Sequence, residues 1–264
     1  MNPGVYLDLP ADEYHAVDAV SATRLKKLHS STPGHFKAWL EKPQKPSDAM
    51  LFGTIAHAYL LEKSLLSKQF ASYPEGIDGR MKEGKALKEK WEAEGKTVVS
   101  RELFNKACDA AAILHHSGIL PVGRTEISLF TVEQGSNLLC KARIDLAPSG
   151  HSIWDLKTTE DASAKGFEAT AFKFGYHIQS AFYLDLWNAL CGSVEPKTEF
   201  KFLALETEPP YAWQVFKCSD SFIERGRQDY QAALLKYAEC RNANSWPLYP
   251  QEEATLFLPA WANK

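Results

Sequence analysis

Cysteine is sparse and scattered. The 264-residue chain has five, Cys108, Cys140, Cys191, Cys218 and Cys240, an odd number with no CxxC pair. Such spacing excludes a disulfide framework, a zinc ribbon and an iron–sulfur site, and reads as reduced, mostly buried thiols. Long apolar runs are also missing. Nothing approaches the roughly eighteen consecutive apolar residues of a membrane span, and no basic segment precedes an apolar stretch at the start. A cytoplasmic protein with no membrane contact is expected. The Gly-x-Gly-x-x-Gly turn of dinucleotide folds is absent, as are repeats and low-complexity tracts. Positive charge is not in excess either: 30 Lys and Arg against 33 Asp and Glu give a net charge of −3. Any contact with a polyanion must therefore be local.

A chain of this length buries a substantial core and suits one domain over residues 1–264. Residues 1–50 read as an accessory segment of short helices and proline-rich connections such as 42-KPQKPSD-48. Residues 51–245 read as the core and 246–264 as a C-terminal tail. Within the core, 52–66 is patterned as a helix, 71-ASYPEGIDG-79 as a loop, and two helices follow near 81–96 and 101–117. Three strands are expected at 124–132, 138–146 and 151–157, then helices at 164–171 and 176–190, strands at 198–206 and 211–218, and a helix over 220–240. This order favours an α/β fold, a mixed sheet with helices packed over it.

The informative stretch is 138-LLCKARIDL-146 followed by Pro148-Ser149-Gly150 and 151-HSIWDLK-157. It reads as two strands joined by a tight turn. The period of two puts Asp155 and Lys157 on one face of the second strand, where Asp145 can meet them across the hairpin. Two carboxylates and an ammonium converging near a strand end suit a hard divalent cation with a phosphate or water beside it. Basic residues cluster in 21-SATRLKKLHSS-31, where Ser21 can cap a helix presenting Arg24, Lys26 and Lys27. The five lysines of 81-MKEGKALKEKWEAEGK-96 are matched by four glutamates, the pattern of a solvated helix.

The segments 53-GTIAHAYLLE-62, 124-RTEISLF-130, 140-CKARIDL-146, 154-WDLKTTEDAS-163 and 175-GYHIQSAFYLD-185 form an ordered set of H, E, D, DxK and Q-x-x-x-Y. In this the chain resembles the PD-(D/E)xK nuclease superfamily, and more closely the RecE-type exonucleases of phage and prophage recombination. Two departures are Ile144 in place of proline before Asp145, and Asp155 in place of the commoner glutamate. Neither removes a carboxylate. The resemblance implies a restriction-endonuclease-like core with an N-terminal helical elaboration. It implies catalytic roles for Asp145, Asp155, Lys157, Glu126, His57, Gln179 and Tyr183. The expected metal ligands are Asp145, Asp155 and the Leu156 backbone carbonyl, with Glu126 and His57 beside them; two Mg2+ ions about 3.5 to 4 Å apart suit such oxygens, and Mn2+ should be tolerated. Glu62 reads as structural.

A lysine titrates near about 10.4, so beside carboxylates Lys157 is expected to orient and stabilise charge and not to act as a base. Gln179 and Tyr183 share a helix face and either contact the scissile-strand phosphate or orient the catalytic shell. Thr158 and Thr159 either hold a carboxylate or phosphate or cap the following turn. Arg24, Lys26, Lys27, Thr158, Thr159, Gln179 and Tyr183 are the expected DNA contacts. The activity implied is a Mg2+-dependent 5′-to-3′ exodeoxyribonuclease that degrades linear double-stranded DNA and leaves 3′ single-stranded tails. It would work as a homo-tetrameric ring, with a single-strand annealing protein as partner. The rival readings are an endonuclease or flap nuclease of the same chemistry, and a non-catalytic DNA-end-binding protein.

Overall fold

The computed structural model describes residues 1–42 and 45–258. Part of the proline-rich connection at 42–48 and the last residues of the 246–264 tail lie outside the described residues. The N-terminal region holds strands β1 (Gly4–Tyr6) and β2 (Val20–Ser21) and helices α1 (Ala11–Ala16), α2 (Ala22–His29) and α3 (Pro33–Leu40). Helix α4 (Asp48–Leu61) leads through a 3-10 turn into α5 (Leu66–Gln69), β3 (Phe70–Ser72), α6 (Lys82–Ala93), β4 (Thr97–Val99) and α7 (Arg101–His116). Then come β5 (Gly123–Glu133), β6 (Leu138–Pro148), β7 (Ser152–Thr159), α8 (Ala164–Lys173), α9 (Tyr176–Cys191), β8 (Glu199–Glu206), β9 (Trp213–Lys217) and α10 (Asp220–Ala243).

Hydroxyl caps start most of the longer helices. The side chains of Ser21, Thr32, Ser47, Ser100, Ser163 and Ser219 each accept a backbone N–H of the first turn, satisfying a donor that the helix itself cannot, for about 1 kcal/mol each. The expected elements from 81 onward all form. The segment 71–79, expected as a loop, instead opens on β3, which pairs in parallel with β4 in a small separate sheet. Three residues are too few to show an alternation.

The main sheet is mixed, in the order β1-β5-β6-β7-β8-β9, with β2 beside β6. Neighbours are antiparallel except β7 with β8 and β2 with β6. Helices cover both faces. On one side α2, α9 and α10 enclose Leu25, Ile178, Phe182 and Tyr230 against β5, β6 and β8; on the other, Phe52 and Ile55 of α4 and Leu114 of α7 pack on Leu156, Leu203 and Leu205. This is a mixed sheet flanked by helices with an N-terminal helical region, the architecture of a PD-(D/E)xK-like fold. No described helix is long and apolar enough to cross a membrane. All five cysteines are free.

The sheet opens at its centre. Strand β7 pairs with β8 over its whole length but meets β6 only at Leu146 and Trp154. The two strands splay from there, and the diverging ends carry Asp145 and Asp155.

Candidate active site

The β5–β6 ladder keeps one register throughout, so Glu126 stands opposite Asp145, yet the paired positions skip these two residues. The cause is Glu126 itself, at a φ of 53° in the left-handed region. A non-glycine residue there is strained by roughly 1 kcal/mol or more, and such strain recurs at functional sites. Its consequence is to turn the Glu126 carboxylate toward the cleft. Arg143, two residues before Asp145 on the same face, grips that carboxylate through Nε at 2.5 Å and anchors its own guanidinium on Ser128 Oγ at 3.1 Å and the Leu9 carbonyl at 2.9 Å. Glu62, at the end of α4, lies 4.0 Å from the same guanidinium.

His57 reaches the site from α4. Its Nε2 lies 2.9 Å from the Leu156 carbonyl and its Nδ1 lies 3.6 Å from Asp145 Oδ2. A donor bond from Nε2 to the carbonyl leaves the Nδ1 lone pair facing the carboxylate. Burial holds the imidazole pKa down, so the ring is neutral near pH 7. The backbone N–H of Leu156 donates to Asp145 Oδ2 at 2.8 Å, which locks the two splayed strands at this point.

Asp155 is almost wholly buried. Its Oδ1 accepts from Gln179 Nε2 at 2.6 Å, while Oδ2 accepts no well-directed hydrogen bond and has the Lys157 ammonium packed against it. Gln179 is also buried, and its Oε1 accepts from the Lys26 ammonium at 3.2 Å. Lys26, Gln179, Asp155 and Lys157 thus form a continuous polar chain from α2 through α9 to β7. Burial, reinforced by the nearby Lys157 charge, lowers the Lys26 pKa to about 8. Burial alone would also lower Lys157, but the charges of Asp155 and Asp145 outweigh it and raise its pKa, so this lysine stays protonated.

The other expected site residues divide. Tyr183 faces the same cleft, its hydroxyl pushed well above its usual pKa by burial and then by Tyr14, Asp155 and Asp145, while Phe182 and Leu186 of the same helix are in the core as expected. Gln179 spends both ends of its amide on protein partners, so of its two readings the geometry matches orientation of the shell. Thr159 is buried and its hydroxyl bonds Asp161 backbone atoms, the turn-capping alternative. Thr158 points to the opposite face of β7, where its Oγ1 closes on Gly53 of α4. Strand parity puts Thr158 behind β7, while Thr159 shares the face of Asp155 and Lys157 and spends its hydroxyl on the turn. Ser21 does cap α2, Arg24 pairs with Asp18 at 2.8 Å, and Lys26 turns onto Gln179.

Two residues of the site carry no motif. Arg143 shares the 141–143–145 alternation with Asp145, a parity signal that is present in the sequence. Tyr176 has no such signal, yet its ring lies 5.1 Å from the Lys157 ammonium and 5.4 Å from that of Lys26.

Among the described residues, two groups bring ligand atoms within 4.8 Å of one another: His57, Glu126 and Asp145, and His29, His177 and Asp229. The second lies where α2, α9 and α10 meet, with Asp229 Oδ2 accepting from Arg225 Nε at 2.7 Å and meeting His177 Nε2 at 3.0 Å. The first fits a hard divalent cation. Oxygen donors dominate, the Leu156 carbonyl lies against the His57 ring at 2.9 Å, and the carboxylates are crowded: burial and then Asp145 raise Glu126 to about 7, and burial and then Asp155 raise Asp145 well above its ordinary range. Such crowding is what a bound cation neutralises.

A candidate exonuclease from Eubacterium rectale, known by crystal structure, is similar over 94% of this chain and 97% of its own, at 14% identity and a TM-score of 0.62, and so shares the fold. A phage-related exonuclease from Haemophilus somnus aligns over 86% of this chain and 96% of its own, at 13% identity and a TM-score of 0.34. An alkaline exonuclease from Laribacter hongkongensis aligns over 89% and 99%, at 13% identity and a TM-score of 0.32. No curated protein matches. The model of one family, the PDDEXK-like domain of unknown function DUF3799, matches residues 21–256, and the chain belongs to that family.

Proposed function

We propose that the protein is a Mg2+-dependent DNA exonuclease. The observation that carries this reading is the convergence of His57, Glu126 and Asp145 around one point, with Asp155 and Lys157 beside them across the strand splay. Asp145, Glu126, His57 Nδ1, the Leu156 carbonyl and Asp155 would hold the metal. A divalent cation bound there supplies Lewis acidity toward the phosphoryl oxygen and activates water.

The chain's own residues do the rest. Lys157, protonated between Asp155 and the cleft, sets positive charge where the phosphoryl group gains negative charge, the electrostatic role and not that of a base. Gln179 holds the Asp155 carboxylate with one end of its amide and the Lys26 ammonium with the other, making it a positioning residue. Lys26 places a second cation beside Lys157, and Tyr183 lines the cleft under Arg143. The basic charge that the composition lacks overall is thereby concentrated where a phosphate would sit.

Linear duplex substrate, 5′-to-3′ polarity and 3′ single-stranded products belong to this proposal through the resemblance to RecE-type enzymes, and the exonuclease name of the Eubacterium rectale relative is in keeping with it. So do a closed tetramer, a single-strand annealing partner and a cytoplasmic setting. The test is incubation of end-labelled linear duplex with the protein in Mg2+, in Mn2+ and in chelator. Stepwise loss of label from the 5′ end in metal alone supports the reading; cutting of covalently closed circles at a comparable rate would replace it with an endonuclease, and binding without turnover in either metal with an end-binding protein.

A further inference from the structure

The turn between α8 and α9 carries an aromatic feature that phosphodiester chemistry leaves unused. Phe172 and Phe174 keep 55% and 54% of their surface exposed within one short stretch. Phe174 stacks on Tyr176, with centroids 6.2 Å apart and planes at 28°. On its inner side Tyr176 packs on Phe202 at 5.3 Å and Phe167 at 6.1 Å. The rings thus form a column rooted in the core and ending on an open face. Ammonium groups flank it: Lys26 and Lys157 against Tyr176, and Lys173 at 5.6 Å from the Phe174 ring.

The local backbone holds this arrangement in place. Gly175, at a φ of 67°, makes the left-handed turn that sets the two rings side by side, and a Cβ there would come within 3.0 Å of Lys26 Cγ and 3.1 Å of Lys26 Cδ. The glycine therefore serves both the ring pair and the path of Lys26 into the cleft. An exposed phenyl ring forgoes the burial that would stabilise it, and here it stands one aromatic neighbour away from the lysine that faces the metal group. Flat apolar faces interleaved with ammonium groups match one class of ligand well, a nucleic-acid strand, whose bases stack while its phosphates meet the cations.

We propose that Phe174 is a stacking platform for one unpaired nucleobase of the strand whose phosphate lies against Lys157 and Lys26. It rests on the nuclease reading above and adds to it a substrate state: the DNA end enters unpaired. A base inside a duplex has both π-faces occupied by its neighbours and a terminal pair exposes only its outward face, so a strand whose phosphate lies against Lys157 and Lys26 lays a base on Phe174 only where that base is frayed or single-stranded.

The test uses the full-length protein in chelator and single-stranded oligodeoxynucleotides carrying 2-aminopurine at each of several terminal positions in turn. Binding of the wild type should quench the fluorophore at one position. Phe174→Ala should abolish that quench and weaken single-strand binding about tenfold, within the range for one base–aromatic stack, and Phe174→Tyr should restore both. A cross-linked duplex whose ends cannot fray should bind Phe174→Ala and wild type equally. Quench and affinity unchanged in Phe174→Ala, or no quench at any position, would overturn the platform. Turnover of the same oligonucleotides by the wild type in Mg2+ and Mn2+ separates the two claims. Cleavage with a Phe174-independent signal overturns the platform and keeps the nuclease; a Phe174-dependent quench without cleavage in either metal does the reverse.

Discussion

Glu126→Gln should make the metal-free protein more stable while impairing its activity. In the folded chain the Glu126 carboxyl titrates at about 7, against an ordinary 4.5, because burial and the neighbouring Asp145 penalise its charged form more than Arg143 favours it. At about 1.4 kcal/mol per pKa unit, ionised Glu126 costs the native state up to about 3 kcal/mol above pH 7. Discounted for residual solvent screening, a gain of about 1.5 to 3 kcal/mol is expected. Glutamine is the right replacement because it mimics the protonated acid and still accepts from Arg143. The sign comes from proton binding. Between 4.5 and 7 the native state holds more protons than the unfolded chain, so stability from this group is fully present below 4.5 and is lost as pH rises through 7. The advantage of Glu126→Gln should therefore be largest near about pH 8 and shrink as pH falls toward 4.5. Urea unfolding in chelator at several pH values, with the m-value unchanged, reads it directly. Added Mg2+ should stabilise the wild type more than the variant. A variant no more stable than the wild type near pH 8 in chelator would refute the crowded-carboxylate account.

The same geometry sets further expectations. Asp145→Ala and Asp155→Ala should each lower DNA turnover on the order of 10³-fold or more with the fold retained by circular dichroism, whereas Lys157→Ala should lose most turnover and keep metal affinity in calorimetry. DNA affinity should fall as pH rises through about 8, where Lys26 loses its proton, and Lys26→Met should flatten that dependence in a fluorescence-anisotropy titration. Gly226→Ala should be destabilising by more than about 2 kcal/mol in thermal melts, because its Cβ would fall 1.8 Å from the His177 carbonyl oxygen.

Much of this site is legible in the chain because its central residues obey strand parity. Asp155 and Lys157 share a face, Asp145 meets them across a turn marked by Pro148, Ser149 and Gly150, and the structure has all three together. Parity also carries information that the motifs do not: it places Thr158 behind β7, against Gly53, and Arg143 in front, beside Glu126. What lies beyond the sequence is tertiary. Arg24, Lys26 and Lys27 are neighbours of like charge on a capped helix, and only the packing of α2 against α9 selects Lys26 to turn inward onto Gln179. The left-handed backbone of Glu126 has no local signature, since no glycine or asparagine announces it. Nor do the two residues of β2 or the three of β3, which are too short for any alternation to show.

The most direct test of the central claim is the fate of linear duplex DNA with the wild-type protein in Mg2+, in chelator and with Asp145→Ala. Progressive loss of the duplex from its ends in Mg2+, none in chelator and none with the variant is the predicted result. Undiminished degradation by Asp145→Ala, or intact linear DNA in both Mg2+ and Mn2+, would contradict it.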